Sequence, residues 1–325
     1  MTRLVSLAPL FVVLVGFTVS AFAQELTRIR YGTTASAAHL PILVGWEGGI
    51  FKKNGLEVEP IHIRGGALIT AAILSGSLQF SGAGAESVVA ARVEGADVVL
   101  LACPANSDAV YLIVRPEIKS AADLKGKASA VTRLGSTTHF YLRTALRHVG
   151  LDPDKDMTIM QLGAGPEISA ALENGRVVAA ALTIRYALPF FQKGWPVMVD
   201  LGKTDMVYPS SCVASSRSTV REQPALVERF LKAYVQAIRT TKKDRHLAER
   251  AFAKWSREND SAVVAKTVEA YARLFKPIPY VPDKGIEAVL TDLSKRRPVP
   301  KELFGRPEYF RDNGPLEKAV KTLEE

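Results

Sequence analysis

Cysteine is scarce in this chain: Cys103 and Cys212 are the only two among 325 residues, and neither stands at metal-ligand spacing from a histidine or a second cysteine. CxxC redox chemistry and a cysteine-built metal centre are therefore excluded. The chain also lacks a G-x-S-x-G nucleophile elbow, an H-E-x-x-H zinc motif and a G-x-x-x-x-G-K-[ST] phosphate loop. Gly82-Ala83-Gly84 begins like a dinucleotide fingerprint, but position 87 is Ser and no acidic partner follows, so a tight strand–helix turn explains it. No spacing among the five histidines and the many carboxylates singles out a general acid–base pair. Basic residues are scattered, clustering only at Lys242-Lys243 and Lys295-Arg296-Arg297 without interleaved aromatics, which argues against nucleic-acid binding. No low-complexity segment occurs. By elimination the sequence offers no catalytic residue, no metal site and no cofactor.

Long hydrophobic runs are equally rare. The only one, Leu4 to Ser20, follows Arg3 and ends at Ala21-Phe22-Ala23, a small-x-small cleavage pattern. It reads as a secretory signal peptide over residues 1–23, cleaved after Ala23, and it is short for a membrane span. No cysteine stands at the cleavage site to carry a lipid, so the expectation is a soluble, periplasmic mature chain. The formal charge of +9 falls to +8 once Arg3 is removed, and a basic exported protein attracts anions through its long-range field. A merely solvated surface accounts for the charge equally well. For the cysteines, an oxidising compartment permits a disulfide. Two buried free thiols on strands are the simpler reading.

What is present is organised around Tyr31 to Ile63, YGTTASAAHLPILVGWEGGIFKKNGLEVEPIHI. It reads as a strand, a small hydroxyl-bearing loop, a helix opened by Pro41 and closed by Gly55, and a second strand. The same device returns about one hundred residues on. Ser36-x-x-His39 is matched by Ser136-x-x-His139, and Gly55-Leu56 by Gly150-Leu151. Gly66, Ala71, Ala72 and Gly76 are matched by Gly165, Ala170, Ala171 and Gly175 at a constant offset. A repeat of domain size, longer than any solenoid period, implies two related α/β lobes whose helix starts face each other across a cleft.

Strands are expected at 28–32, 58–63, 78–81, 98–102 and 108–115 in the first half, and at 129–132, 158–161, 178–182 and 196–200 in the second. Helices alternate with them, so the sheets should be mainly parallel. The first crossing between lobes is placed near Val114–Pro116, and the returning strand at Ser211–Ser215. Lobe 1 then comprises residues 24–114 and 213–325, and lobe 2 residues 115–212. The two crossings make a two-strand hinge. From Pro224 onward the pattern is helical and should brace lobe 1.

Ligands of α/β sheets sit beyond the strands' carboxyl ends, where helix starts present free N–H groups. That places Thr34, Ser36 and His39 at one side of the cleft, and Ser136, Thr137, Thr138 and His139 at the other. Hydroxyls there cap helices as readily as they contact a ligand, but their paired occurrence favours contact. Gly65, Gly66 and Gly84 would let the backbone approach a ligand closely. Arg185, next to Tyr186, could pair with an oxyanion, a role for which Arg64 and Arg133 compete. Glu86 either stabilises the next helix start or accepts from a ligand amine.

These stretches together resemble the solute-binding proteins of ABC importers for nitrate, sulfonate and taurine, a family that also includes binders of the thiamine pyrimidine precursor. The carriers are HLPILVGWEGGIFKKNGLEVE, GGALITAAILSG, FSGAGAE, IKSAADLKGK, GSTTHFYLRTALRHVGLDPDKD, ALENGRV and VASSRSTVREQPALVERFLKAY, spread over residues 25–320. The resemblance implies a two-lobed type II periplasmic-binding-protein fold with C-terminal helices packed on lobe 1. It further implies a monomer that captures a small anionic or zwitterionic solute by hinge closure and delivers it to an inner-membrane permease and ATPase. A sensory binding protein and, more remotely, an enzyme of thiamine-pyrimidine formation are the alternatives; that enzymatic branch carries a cysteine-rich motif, which is absent here. Many members have Asp where this chain has Gln79 and Val178.

Overall fold

The computed structural model describes residues 25–34 and 36–324, so the expected signal peptide lies outside the described residues. Among the described residues ten strands form two five-stranded sheets, in the order β2-β1-β3-β10-β4 and β7-β6-β8-β5-β9. The first sheet contains β1 (Thr27–Thr33), β2 (Leu56–His62), β3 (Phe80–Ala83), β4 (Val99–Ala102) and β10 (Cys212–Ser215). The second contains β5 (Val110–Val114), β6 (Lys127–Val131), β7 (Met157–Gln161), β8 (Ala179–Thr183) and β9 (Val197–Asp200). In each sheet one strand runs against its neighbours: β10 pairs antiparallel with β3 and β4, and β5 with β8 and β9.

The two orders are the same once the repeat is laid over them, with β1 to β6, β2 to β7, β3 to β8 and β4 to β9. The antiparallel strand of each sheet is the first one formed after the chain arrives from the other sheet. This corrects the expected position of Val110–Val114. It does not close the first sheet; it pairs residue for residue with β8, from Val110↔Thr183 to Val114↔Ala179. The outgoing chain thus leaves the first sheet at Cys103, before the apolar run that alternation alone assigns to it.

Helices fill the connections. In the first half they are α1 (Leu40–Glu47), α2 (Ile50–Lys53), α3 (Gly66–Leu74) and α4 (Ala85–Val93). The second half has α5 (Thr137–His148), α6 (Gly165–Glu173) and α7 (Ile184–Gln192). A single helix over 39–54 is not what forms: Gly49 takes a φ of 67°, a left-handed conformation open to glycine, and divides α1 from α2. Gln79 lies at the edge of β1, where its side-chain Oε1 accepts from the Arg30 N–H at 2.9 Å. An amide there makes the strand contact directly, a structural use of the position where the family often carries Asp.

Six helices follow β10: α8 (Arg217–Glu222), α9 (Pro224–Lys243), α10 (Arg245–Ser256), α11 (Ser261–Leu274), α12 (Asp283–Ser294) and α13 (Gly314–Glu324). The apolar face of α9 explains why they gather on the first sheet. Phe230 stacks on Phe80 at 4.2 Å between ring centroids, and on Phe51 and Tyr31 at 5.6 and 5.9 Å. Each buried aromatic of this kind contributes roughly 1.5–3 kcal/mol through removal of apolar surface from water. No helix among the described residues is long and apolar enough to cross a membrane.

Two segments join the sheets and run side by side. The Ser210 N–H donates to the Ala105 carbonyl at 3.1 Å, and the Tyr208 N–H to the Asn106 carbonyl at 2.9 Å. Cys103 and Cys212 stand at the first-sheet ends of these segments and are joined by a disulfide. Free thiols, the simpler expectation, are thus ruled out by proximity that only the strand exchange creates. The bond closes a loop over a sequence separation of 109 residues, which contains the whole second sheet. Cross-linking so long a loop restricts the unfolded chain, an effect of about 2–5 kcal/mol. Reduction, or the double variant Cys103→Ser with Cys212→Ser, should therefore lower the thermal midpoint by several degrees without changing the far-ultraviolet circular dichroism at 25 °C. An unchanged midpoint would show that the unfolded chain gains nothing from release of the loop.

Candidate functional site

A cavity of about 290 Å³ lies between the sheets, on the side where the helices begin. Its wall takes residues from the starts of α3, α5, α6 and α7, including Gly65, Gly66, Ser136, Thr137, Ala164, Gly165, Thr183 and Arg185. None of these four helices carries a side-chain cap at its first turn. An uncapped start leaves N–H groups without intrahelical acceptors, and the helix dipoles add partial positive charge at the same end. The wall also has an apolar part, built from Ile63, Ile168, Ala181, Leu182 and the ring of Tyr186. Gly165 permits this: a Cβ there would sit 2.3 Å from the Tyr186 ring.

The sequence-derived residues largely meet here. Thr34, Ser36, His39, Gly65, Gly66, Gly84, Ser136, Thr137, Thr138 and Arg185 all line the cavity. Much of their hydrogen-bonding capacity is already used in shaping it. Ser36 Oγ accepts from the Ala38 N–H at 3.2 Å, and Thr34 Oγ1 lies 2.9 Å from His39 Nε2. Ser136 Oγ donates to the Arg133 carbonyl at 2.7 Å, while Thr138 Oγ1 accepts from the Thr132 N–H at 3.0 Å. Thr137 Oγ1 receives the Tyr208 hydroxyl at 3.0 Å, directly above Gly84, where a Cβ would come within 1.9 Å of it. Gly84 is thus the point where the first half of the chain admits the second at backbone distance.

Two residues fall outside the lining. The His139 ring turns away, its Nδ1 accepting from the Gly135 N–H at 3.0 Å, and burial lowers its pKa to about 4. The Glu86 carboxylate points to the C-terminal helices and is bound by Arg296 Nη2 at 2.7 Å, with burial pushing its carboxyl up against the pull of that arginine. Arg296 also reaches Asp292, as do Arg143 and Arg147 of α5. Arg143, fully buried, grips Asp154 with both terminal nitrogens at 2.5 and 2.6 Å. This cluster fastens α5 to α12, across the two halves.

The two arginines that line the cavity are both engaged from the opposite half. Arg185 Nε donates to Glu258 at 3.1 Å and Nη2 to the Ser256 carbonyl at 2.8 Å, with Tyr186 and Phe252 against its guanidinium. Arg64 reaches Glu167 at 3.4 Å on the exposed rim. Sequence reasoning missed Asp108, Tyr141, Ser210 and Ser211, which also line the cavity. Nothing in the run DAVYLIVR marks its first residue as a wall residue; only the two paired crossing segments bring Asp108 and Ser210 together.

His39 is the most deeply placed titratable base of the wall. Burial, with a smaller contribution from His62, lowers its pKa to about 3, and its Nδ1 is buried without a partner among the described residues. The ring is neutral at physiological pH. Since its folded value lies below the ordinary 6.5, protonation favours the unfolded chain. The stability is fully present above pH 6.5 and is lost as pH falls towards 3, at about 1.4 kcal/mol per pH unit. Urea unfolding at pH 6, 5 and 4.5 should give a pH slope shallower by that amount in His39→Gln, which keeps a polar tip for Thr34. Equal slopes in the two proteins would mean that His39 takes up its proton in the folded state.

Comparison with known proteins places this geometry. The chain is 24% identical to YtlA of Bacillus subtilis (strain 168) over 300 residues, 88% of this chain and 89% of that one. It is 36% identical over 164 residues to the taurine-binding periplasmic protein of Escherichia coli (strain K12), about half the length of either chain (49% of each). The crystal structure of the periplasmic nitrate-binding protein NrtA from Synechocystis PCC 6803 superimposes with a TM-score of 0.80 at 15% identity, covering 92% of this chain and 90% of that one. The two-sheet architecture is that of the periplasmic binding proteins, as the resemblance implied. The NMT1/THI5-like family profile matches residues 36–246, and the chain belongs to that family.

Proposed function

We propose that the protein is the solute-binding component of an ABC importer, and that it captures a small organic acid, anionic or zwitterionic, between two lobes without converting it. The reading is supported most by one observation: four uncapped helix starts converge on a single cavity in which both arginines are already neutralised by carboxylates of the opposite half. An anionic head group would accept from the free N–H groups, a preorganised arrangement that costs no side-chain ordering. Cavity size narrows the class. A water molecule's share of liquid volume is about 30 Å³, so a nitrate-sized ion would leave most of the 290 Å³ unfilled. A sulfonate or carboxylate with an apolar body matches both parts of the wall, and the taurine-binding relative, whose solute carries a sulfonate, agrees with such a head group.

The lobes in this reading are residues up to Cys103 with Cys212 onward, and the segment between. They would open and close about the two crossing segments, the usual motion of a cleft held by a hinge. Export to the periplasm and delivery to a membrane permease and its ATPase complete the proposal.

Thermal unfolding of the purified protein, stripped of carried-over solute, should be followed against alkyl and aryl sulfonates, carboxylates, amino acids, nitrate and pyrimidines. A ligand at a thousand times its dissociation constant adds roughly 4 kcal/mol, enough to raise the midpoint by several degrees. Organic acids should give that shift; a response to uncharged solutes alone, or to nothing in the panel, overturns the proposal. In Gly84→Ala the new methyl would meet Thr137 and Tyr208. The shift with the best organic acid should therefore be lost in that variant while its ligand-free midpoint changes by only a few degrees. A full shift in Gly84→Ala would show that capture does not need the halves to meet there.

A further inference from the structure

Asp108 is the one carboxylate lining the cavity that has no cationic partner among the described residues. Its side chain is only slightly exposed, at 3%. Tyr271 of α11 donates to Oδ1 at 2.5 Å, Tyr141 of α5 to Oδ2 at 2.7 Å, and Ser210 of the returning segment to Oδ2 at 3.0 Å. The three hydroxyls come from three different parts of the chain, so the carboxylate's position is fixed from all sides. Hydroxyl donors orient a charge but do not neutralise it, and an uncompensated buried carboxylate is costly.

Its location relative to the helix starts matters. Tyr141 follows Thr137 by four residues, about one turn or roughly 5–6 Å along α5. A negatively charged group therefore stands close to where an acid head group would bind. For a simple anion that proximity is repulsive. For a molecule carrying a positive nitrogen a few atoms from its acid group, it is attractive.

We propose that Asp108 is a specificity-determining residue which receives a protonated nitrogen of the solute, so that the cavity selects amino acids of the ω-amino type, an acid at one end and an ammonium at the other, over plain organic acids. This rests on the capture reading above and narrows it. The electrostatics of the site is consistent with the same role: burial pushes the Asp108 carboxyl upward, the Tyr271, Tyr141 and Ser210 hydroxyls pull it down, and a cation from the solute would act in the same direction as those hydroxyls.

The test uses probe pairs of matched size, with an ammonium in one and a methyl group in the other: 3-aminopropanesulfonate against butanesulfonate, 4-aminobutyrate against pentanoate, and 4-(aminomethyl)benzoate against 4-ethylbenzoate. Dissociation constants are measured by titration calorimetry on the full chain and on Asp108→Asn. The expected result is an ammonium preference of at least tenfold in the wild-type protein for one pair or more. In Asp108→Asn that preference should fall towards one, with the methyl member bound at least as tightly as before. A purely structural Asp108 would weaken both members alike, and that outcome overturns the proposal. So does wild-type protein that binds the methyl members as well as the ammonium ones, which leaves the capture of organic acids standing. If no member of any pair binds, capture of organic acids fails, and this inference with it. Absence of the preference in the wild-type protein overturns the proposal even where Asp108→Asn is too unstable to purify.

Discussion

Each sheet is completed by a strand delivered from the other half of the chain. β5 enters the second sheet between β8 and β9, and β10 enters the first between β3 and β4. Because both inserted strands are antiparallel and internal, neither can be withdrawn without breaking two ladders. The exchange forces the two crossing segments to run together, where Ala105 and Ser210 pair and the Cys103–Cys212 disulfide ties their ends. Everything else about the cavity follows from this. The parallel strands of both sheets point their carboxyl ends into the space beside the crossing, and the helices that follow them begin there.

At the helix starts of that space the electrostatics is arranged with fixed dipoles rather than free cations. The Arg64–Glu167 pair is exposed and contributes at most about 1 kcal/mol. The buried set around Arg143 and Asp292 differs in kind. Removal of one partner would leave a buried charge unpaired, so the set acts more as a condition on how α5 and α12 meet than as a source of net stability. Glu86 belongs to that set, which explains why a carboxylate two residues beyond Gly84 is not part of the wall: its helix turns it to Arg296.

The periodic features were legible in the sequence. All ten strands lie where alternation and breakers put them, and the repeat of glycines at 76 and 175 corresponds to helix ends in which both take positive φ, 73° and 82°. Local patterns also found most of the wall, because a helix start after a strand is both a sequence signal and a position that faces the cavity. What sequence could not supply was assignment between halves. Val110–Val114 reads as a strand in either sheet, and only its pairing decides. The Cys103–Cys212 bond and the Asp108–Ser210 contact depend on that same decision, since each joins residues more than a hundred positions apart. Arg185 was legible as a cavity residue but not as one engaged by Glu258, a partner from a helical region that carries no repeat.

The neutralised arginines bear on what the cleft can discriminate. A free guanidinium on a flexible stem would follow almost any oxyanion, giving affinity with little selectivity. Here Arg185 is held by Glu258, Ser256 and two rings, so it cannot move to meet a ligand without loss of those contacts. In the capture proposed above, the acid head group is left to backbone N–H groups, whose positions are set by the helices and whose geometry it would have to match. The same arginine spans the two halves, so its ion pair forms only when they are together. In that proposal closure would be stabilised by groups that do not touch the head group, while the head group would be selected by groups that do not move. A binding protein arranged in this way can alter its solute by changing a few wall residues, Tyr186 or Asp108 among them, without disturbing the contacts that bring its halves together.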